Sequence, residues 1–402
     1  MEPSASLAED KSTAYGAPLA LLTVLFFAFG FITALNDILA PHLKEQFALD
    51  YTQTMWVQFT FFFAYGVVSI PAGTLITRIG HQKSIALALL ISGCGCLLFY
   101  PAAAYHRYEL FLLALFCLAS GITLLQVASN PYVAALGSEA TASSRLTLTQ
   151  AFNSLGTTLA PYIGATLILA TAIPSHATIQ RLYLVLAACF FALGILIFLS
   201  ALPTLTTAAE LDTRRITKNP LWKNRTLLGG ILGIFVYVGA EVSIGSFLVN
   251  YLSHPTIGNL PVAEAGKWVS FYWGGAMIGR FLGAYVQRIV QPARVLSLYA
   301  LCAIALILVS MSTQGLVAAI AILSVGFFNS IMFPTIFTLA LSGLGPQAAK
   351  GSGWLCTAIV GGAIIPLLQG MAADQLGLQH AFFIPVLCYG YIAYYGFKRM
   401  AR

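Results

Sequence analysis

The sequence predicts an all-α membrane protein of about twelve transmembrane helices arranged as two six-helix bundles. Three observations predict it. First, 59% of the 402 residues are hydrophobic and only 8% are charged, more apolar surface than a soluble domain of this length needs. Second, apolar runs of about 20 residues recur along the whole chain, each long enough to cross a ~30 Å hydrocarbon core. Lipid offers backbone groups no partners, so such runs must be helices. Third, the basic residues fall in alternate connections. With the N-terminus inside, only Lys44, Arg107, Arg181 and Lys267 lie outside, and the other 16 of the 20 Lys and Arg lie inside. That bias places both termini in the cytoplasm.

The spans fall at 17–40, 54–77, 84–103, 109–136, 146–172, 181–202, 226–252, 264–287, 293–313, 316–344, 350–372 and 380–397. The first 16 residues are polar, without the basic start of a secretory signal, and read as a short cytoplasmic tail. The connection at 203–225, PTLTTAAELDTRRITKNPLWKNR, is polar, basic and central. It divides the chain into a bundle at 1–202 and a bundle at 226–402. The halves rhyme: Gly156 precedes Pro161 by five residues in span five, as Gly361 precedes Pro366 in span eleven, and Asn130-Pro131 in span four has a counterpart in Phe333-Pro334 in span ten. Six spans, a basic middle loop and six more is the layout of a two-bundle transporter with its substrate path near the bilayer midplane.

The seven cysteines, from Cys94 to Cys388, all sit inside apolar spans and show neither disulfide nor zinc spacing. The net charge of +7 is spread over alternate loops, which speaks against nucleic acid as a partner. No Gly-x-x-x-x-Gly-Lys-Ser/Thr loop is present, so ATP is not expected to drive this chain. No His/Asp cluster or Gly-x-Ser-x-Gly motif suggests an embedded enzyme.

Of the 13 Asp and Glu, nearly all lie in loops, in the tail or at span ends. Glu264 sits at an outer boundary with Lys267 on the same helical face. Two remain at depth: Asp37 in span one and Glu241 in span seven. A carboxylate at membrane depth costs a few kcal/mol on insertion scales, so it faces a protein interior or a water path, where it can serve a proton relay. Pro41 has no N–H, so the carbonyl of residue 37 loses its helical partner. Asp37 thus offers a carboxylate and a free backbone oxygen together, with Asn36 beside them, which suits a proton or an oxygen-liganded cation such as Na⁺. For Glu241 two bland readings stand beside that one: a helix–helix hydrogen bond, or a sugar acceptor that never titrates. Gly239 and Gly245 flank it, most simply for helix packing.

Several blocks carry a resemblance. Gly73-x-x-x-Thr77-Arg78-x-Gly80-His81-Gln82-Lys83 resembles the loop motif of the major facilitator superfamily, with Thr77 in place of an acid and Gln82 in place of a base. Asn36-Asp37-Ile-Leu-Ala-Pro41, Ala128-Ser129-Asn130-Pro131-Tyr132, Arg145 to Gly156, Tyr237-Val-Gly-Ala-Glu241, Gly279-Arg280-Phe281-x-Gly283 and Phe333-Pro334-Thr335-Ile336-Phe337 together resemble the fucose/glucose/galactose:cation symporter branch of that superfamily. The matches run from span one to span eleven. The resemblance implies a proton-driven sugar importer with acids in spans one and four. Asp37 matches the first; Gln126 stands where the second would be and cannot titrate. Coupling by Asp37 alone, help from Glu241, and a different ion all remain open, so the coupling ion is H⁺ or Na⁺, with Asp37 as a metal ligand in the Na⁺ case, and no cofactor is implied.

Sugar hydroxyls present paired donors and acceptors, which Asn and Gln amides match. Gln126, Gln150, Asn153 and Asn329 are amides inside spans; Gln150 and Asn153 share a helical face. Trp273 and Trp354, and with less support Tyr272, are candidates to cover the apolar face of a pyranose ring. The expectation is therefore a hexose:cation symporter of the bacterial inner membrane, acting as a monomer, with coupling at Asp37, Asn36 and Gln126 and sugar contacts from Gln126, Gln150, Asn153, Glu241, Trp273, Asn329 and Trp354. An uncoupled sugar facilitator and an efflux carrier of the same fold are the alternatives.

Overall fold

The computed structural model describes residues 16–46, 51–105, 107–169, 176–203 and 220–400, with the side chains of the first helix described as far as Ala34. These residues are almost wholly helical. The first half of the chain holds α1 (Gly16–Gln46), α2 (Tyr51–Ile79), α3 (His81–Ala104), α4 (Tyr108–Ala135), α5 (Ala142–Leu169) and α6 (His176–Leu199). The second holds α7 (Arg225–Ser253), α8 (Val262–Ile289), α9 (Pro292–Ser312), α10 (Gly315–Asn329), α11 (Met332–Leu341), α12 (Ala348–Thr357), α13 (Gly361–Leu376) and α14 (Phe383–Met400). Each predicted span has its helix. Spans ten and eleven are each broken in two, the first at Ser330-Ile331 and the second at a 3₁₀ turn over Ala358–Val360. Eight stretches among the described residues are long and apolar enough to cross a membrane. Most of the connection read at 203–225 lies outside the described residues.

The chain forms two compact units, Met1–Ala142 with Phe152–Lys218 and Gly343–Thr357, and Ser143–Ala151 with Asn219–Ser342 and Ala358–Arg402. In the first, α3 packs along α4 and α6, and the Phe99 ring stacks on Tyr183 with centroids 4.0 Å apart. A Cβ on Gly73 would stand 2.8 Å from the Ala349 carbonyl oxygen, so α2 and α12 meet backbone to backbone there. In the second, α7 packs against α11, α13 and α14, and α8 against α10. Asn224 caps α7, its Oδ1 accepting from the backbone N–H groups of Thr226 and Leu227 at 2.9 and 3.1 Å.

The two rhyming glycines occupy equivalent places. A side chain on Gly156 of α5 would run into the Phe27 carbonyl of α1, and one on Gly361 of α13 into the Phe235 carbonyl of α7. In each half, the fifth span lies directly on the backbone of the first.

The turn between α2 and α3 needs a left-handed residue, and Gly80 supplies it at φ 84°. Both departures from the loop motif have hydrogen-bond partners, one local and one distant in sequence. Thr77 Oγ1 donates to the Thr74 carbonyl at 2.7 Å. Gln82 Nε2 donates to the carbonyls of Ile197 and Ser200, at 2.9 and 2.5 Å, which end α6 without helical partners.

One basic residue counted toward the cytoplasmic connections belongs elsewhere. Arg280 lies well inside α8 and is not a loop residue, so the inner tally falls by one and the bias keeps its direction. Phe271, Leu367 and Leu387 stand 66–68% exposed, as lipid-facing side chains do.

Candidate functional site

Arg280 sits where it does because of a proline. Pro334 on α11 has no N–H, which leaves the Ser330 carbonyl without its helical donor. Arg280 Nε donates to that oxygen at 3.2 Å. The same guanidinium reaches α7, with Nη2 3.7 Å from Glu241 Oε1. Both side chains retain a little accessibility, 15% and 14%. The pair therefore neutralises two charges that would each be costly at this depth.

A layer of hydroxyls and one amide lies behind the pair. Tyr272 Oη donates to the backbone carbonyl of Glu241 at 3.2 Å and accepts from Asn329 Nδ2 at 2.6 Å. Tyr389 Oη donates to Asn329 Oδ1 at 2.6 Å, and Tyr237 Oη reaches the Asn329 carbonyl at 3.1 Å. Tyr237 is also a neighbour of the Glu241 carboxylate, one helical turn away on α7. Four helices are pinned together by this network, and every member of the back layer is shut from solvent.

The geometry redistributes the residues named from sequence. Glu241 lies at the accessible edge of this network, ion-paired with Arg280 between α7 and α8. Asn329, read from sequence as a sugar contact, is fully buried with both ends of its amide held by tyrosines. Tyr272 is likewise buried and presents its hydroxyl, not its ring face. Trp273, its neighbour, is 44% exposed. The indole lies over Gly245, one turn beyond Glu241, where a Cβ would stand 3.0 Å from the ring. A side chain at Gly245 would push that indole aside.

The other unit holds a second group. Gln126 on α4 is half-buried, and its Oε1 has no hydrogen-bond partner among the described residues. Trp354, also half-buried, lies on α12 two residues beyond Ser352, which bonds the Val127 carbonyl at 2.8 Å. Asn153 donates through Nδ2 to the Phe26 carbonyl at 3.0 Å, closing α5 on α1; that amino group already has a structural task. Gln150 is buried two turns into α5 and belongs to the unit that holds Glu241, whereas Asn153 belongs to the other. Asn36 and Asp37 lie on α1, but their side chains are outside the described residues. Among the described residues no group of three His, Cys, Asp or Glu is placed to hold a metal ion.

The sequence reading took Arg280 as a cytoplasmic base and as part of a family block, not as a site residue, although a lone base inside FYWGGAMIGRFLGAYV is as anomalous as a lone acid. It also passed over Tyr389, which nothing in the sequence sets apart from Tyr391, Tyr394 and Tyr395 in the same span.

A family model described as Major Facilitator Superfamily matches residues 21–358. A Brucella abortus protein (biovar 1, strain 9-941) named glucose/galactose transporter is 53% identical over 387 residues, covering 95% of this chain and 94% of that relative. The L-fucose-proton symporter of Escherichia coli K12 is 33% identical over 411 residues, covering 95% of this chain and 93% of the relative. Among solved structures, a major facilitator superfamily transporter, FucP, in the outward conformation superposes with a TM-score of 0.87 at 32% identity, covering 96% of this chain and 99% of that one.

Proposed function

The chain belongs to the major facilitator superfamily, and on that premise we propose that it is a secondary active sugar importer that carries a glucose-, galactose- or fucose-like hexose inward together with a cation. The observation that carries the proposal is the full-length likeness to relatives named for glucose, galactose and fucose. Within the second unit, a carboxylate–guanidinium pair with residual access and an exposed indole one turn away supply groups suited to a pyranose; within the first, Gln126 offers a half-buried amide with a free acceptor.

Transport proceeds by alternating access. Cation binding at Asp37, with Asn36 nearby, favours the outward-facing state and with it sugar binding; release follows when the equilibrium shifts inward. Gln126, Gln150, Glu241, Trp273 and Trp354 contact the sugar, and Asn153 and Asn329 hold the helices that present them. The proton is the favoured ion because one relative is named a proton symporter. The carrier works as a monomer in the bacterial inner membrane, with bundles at 1–202 and 226–402, both termini in the cytoplasm and no ATP. A second reading, an uncoupled facilitator, draws on Gln126, which cannot titrate.

Radiolabelled glucose, galactose and fucose uptake into liposomes of the purified protein tests this, under an imposed pH gradient or an imposed Na⁺ gradient at fixed voltage. Accumulation driven by pH alone assigns the proton. Accumulation driven by Na⁺ alone makes Asp37 a Na⁺ ligand. Equilibration without accumulation establishes the facilitator, and no sugar uptake at all removes the sugar reading.

A further inference from the structure

On α4, one turn beyond Gln126, stands Asn130. It has no exposed surface, and neither its Oδ1 nor its Nδ2 has a hydrogen-bond partner among the described residues. An amide buried in this way costs a few kcal/mol unless something bonds it, so each such group demands an explanation.

The kink at Pro131 does not supply one. Pro131 frees the Val127 carbonyl, but Ser352 Oγ takes that oxygen at 2.8 Å. The next carbonyl, that of Ala128, is met by His81 Nδ1 at 2.9 Å. The backbone around the kink is therefore completed without Asn130. The second half of the chain makes the same point: its corresponding proline, Pro334, is preceded by Phe333, and the freed Ser330 carbonyl is completed by Arg280. An amide before the proline is not something this kink requires.

Gln126 and Asn130 are four residues apart and share a face of α4. With both termini inside, α4 runs from the outer to the inner side, so Asn130 is one turn nearer the cytoplasm. The upper amide keeps some exposure and a free Oε1; the lower one is fully enclosed with donor and acceptor both free.

We propose that Asn130 is an inner subsite for the sugar, a binding residue that takes a hydroxyl after it leaves Gln126 on the way to the cytoplasm. An amide with both functions free matches a hydroxyl, which both donates and accepts. The proposal rests on the sugar-import reading and on the orientation given above, and it makes a directional claim that the import reading alone does not.

The test measures the sugar KM separately at the two faces, in right-side-out and inside-out membrane vesicles, for the wild type, Asn130→Ala, Asn130→Ser and Gln126→Ala. Asn130→Ala is expected to raise the inner-face KM about five- to tenfold, the loss of one neutral hydrogen bond, and to leave the outer-face KM within about twofold. Asn130→Ser, which keeps a donor and an acceptor, falls between, and it serves as the reading if the alanine variant does not fold. Gln126→Ala is expected to raise the outer-face KM. Equal changes at both faces, or a lowered melting temperature with both KM values unchanged, overturn the inner subsite. A wild type that carries no sugar overturns the import reading instead.

Discussion

Arg280 Nη2 stands 3.7 Å from Glu241 Oε1 while Arg280 Nε holds the Ser330 carbonyl that Pro334 leaves free. One guanidinium thus ties α8 to both the acid of α7 and the broken tenth span. Removing one partner of a buried pair leaves the other charge uncompensated, at a cost of about 3–5 kcal/mol; the slight exposure here puts the expectation at the lower end. Glu241→Gln and Arg280→Gln should each lower the melting temperature and the transport rate. The double variant should recover much of the stability, because no lone charge remains. If Glu241 also accepts a sugar hydroxyl, the double variant keeps a KM raised about tenfold, roughly 1.4 kcal/mol of binding. A double variant with wild-type KM would assign Glu241 to holding Arg280 and nothing more.

Asp37 carries the coupling prediction. Asp37→Asn keeps the shape of the side chain and removes its charge and its titration. The variant should still exchange labelled for unlabelled sugar across the membrane, because exchange needs no net ion movement, yet fail to accumulate sugar against a gradient. With the proton as coupling ion, wild-type uptake rises as the outer pH is lowered relative to the inside, and the variant's response is flat. Accumulation that persists in Asp37→Asn takes the residue out of coupling.

Gly156 and Gly361 test the internal repeat. Each lies where a side chain would meet the backbone of the first helix of its half, Phe27 in one case and Phe235 in the other. Backbone cannot rotate aside as a side chain does, so Gly156→Ala and Gly361→Ala should each cost about 1–3 kcal/mol through overpacking, and the leucine variants should not yield folded protein. Gly266→Ala is the control, since a Cβ there meets nothing within 4 Å. Thermal melts in detergent read all of these. Equal tolerance at the three positions would contradict the close helix contact.

Much of this was legible before any coordinates. The helix limits follow the apolar runs because membrane thickness fixes how many residues a span needs. The Gly156 and Gly361 rhyme was legible because only glycine allows two helix backbones so close. What escaped was direction. An amide inside a span announces a polar partner but not which one; Asn329 turned to Tyr272 and Tyr389, the latter 60 residues along the chain. Arg280 was misassigned because it was counted with the loop bases that mark topology and never weighed as a partner for Glu241. Thr77 and Gln82 looked like losses against the family motif, yet each found carbonyls to bond, Gln82 at a helix end more than 100 residues away. Partners as distant as those of Gln82 leave no local pattern.

The Pro131 kink yields a prediction with its own internal control. Ser352 Oγ donates to the Val127 carbonyl at 2.8 Å in a place closed to water. Ser352→Ala leaves that oxygen without a donor, which should cost about 1–3 kcal/mol. The need arises only because Pro131 supplies no N–H. Pro131→Ala restores the helical donor, so in the Pro131→Ala background Ser352→Ala should cost far less. The two substitutions are therefore expected to be non-additive by about 1 kcal/mol or more, read from denaturation of the purified variants. Strict additivity would mean that Ser352 stabilises α12 by some other route and that the kink is completed elsewhere.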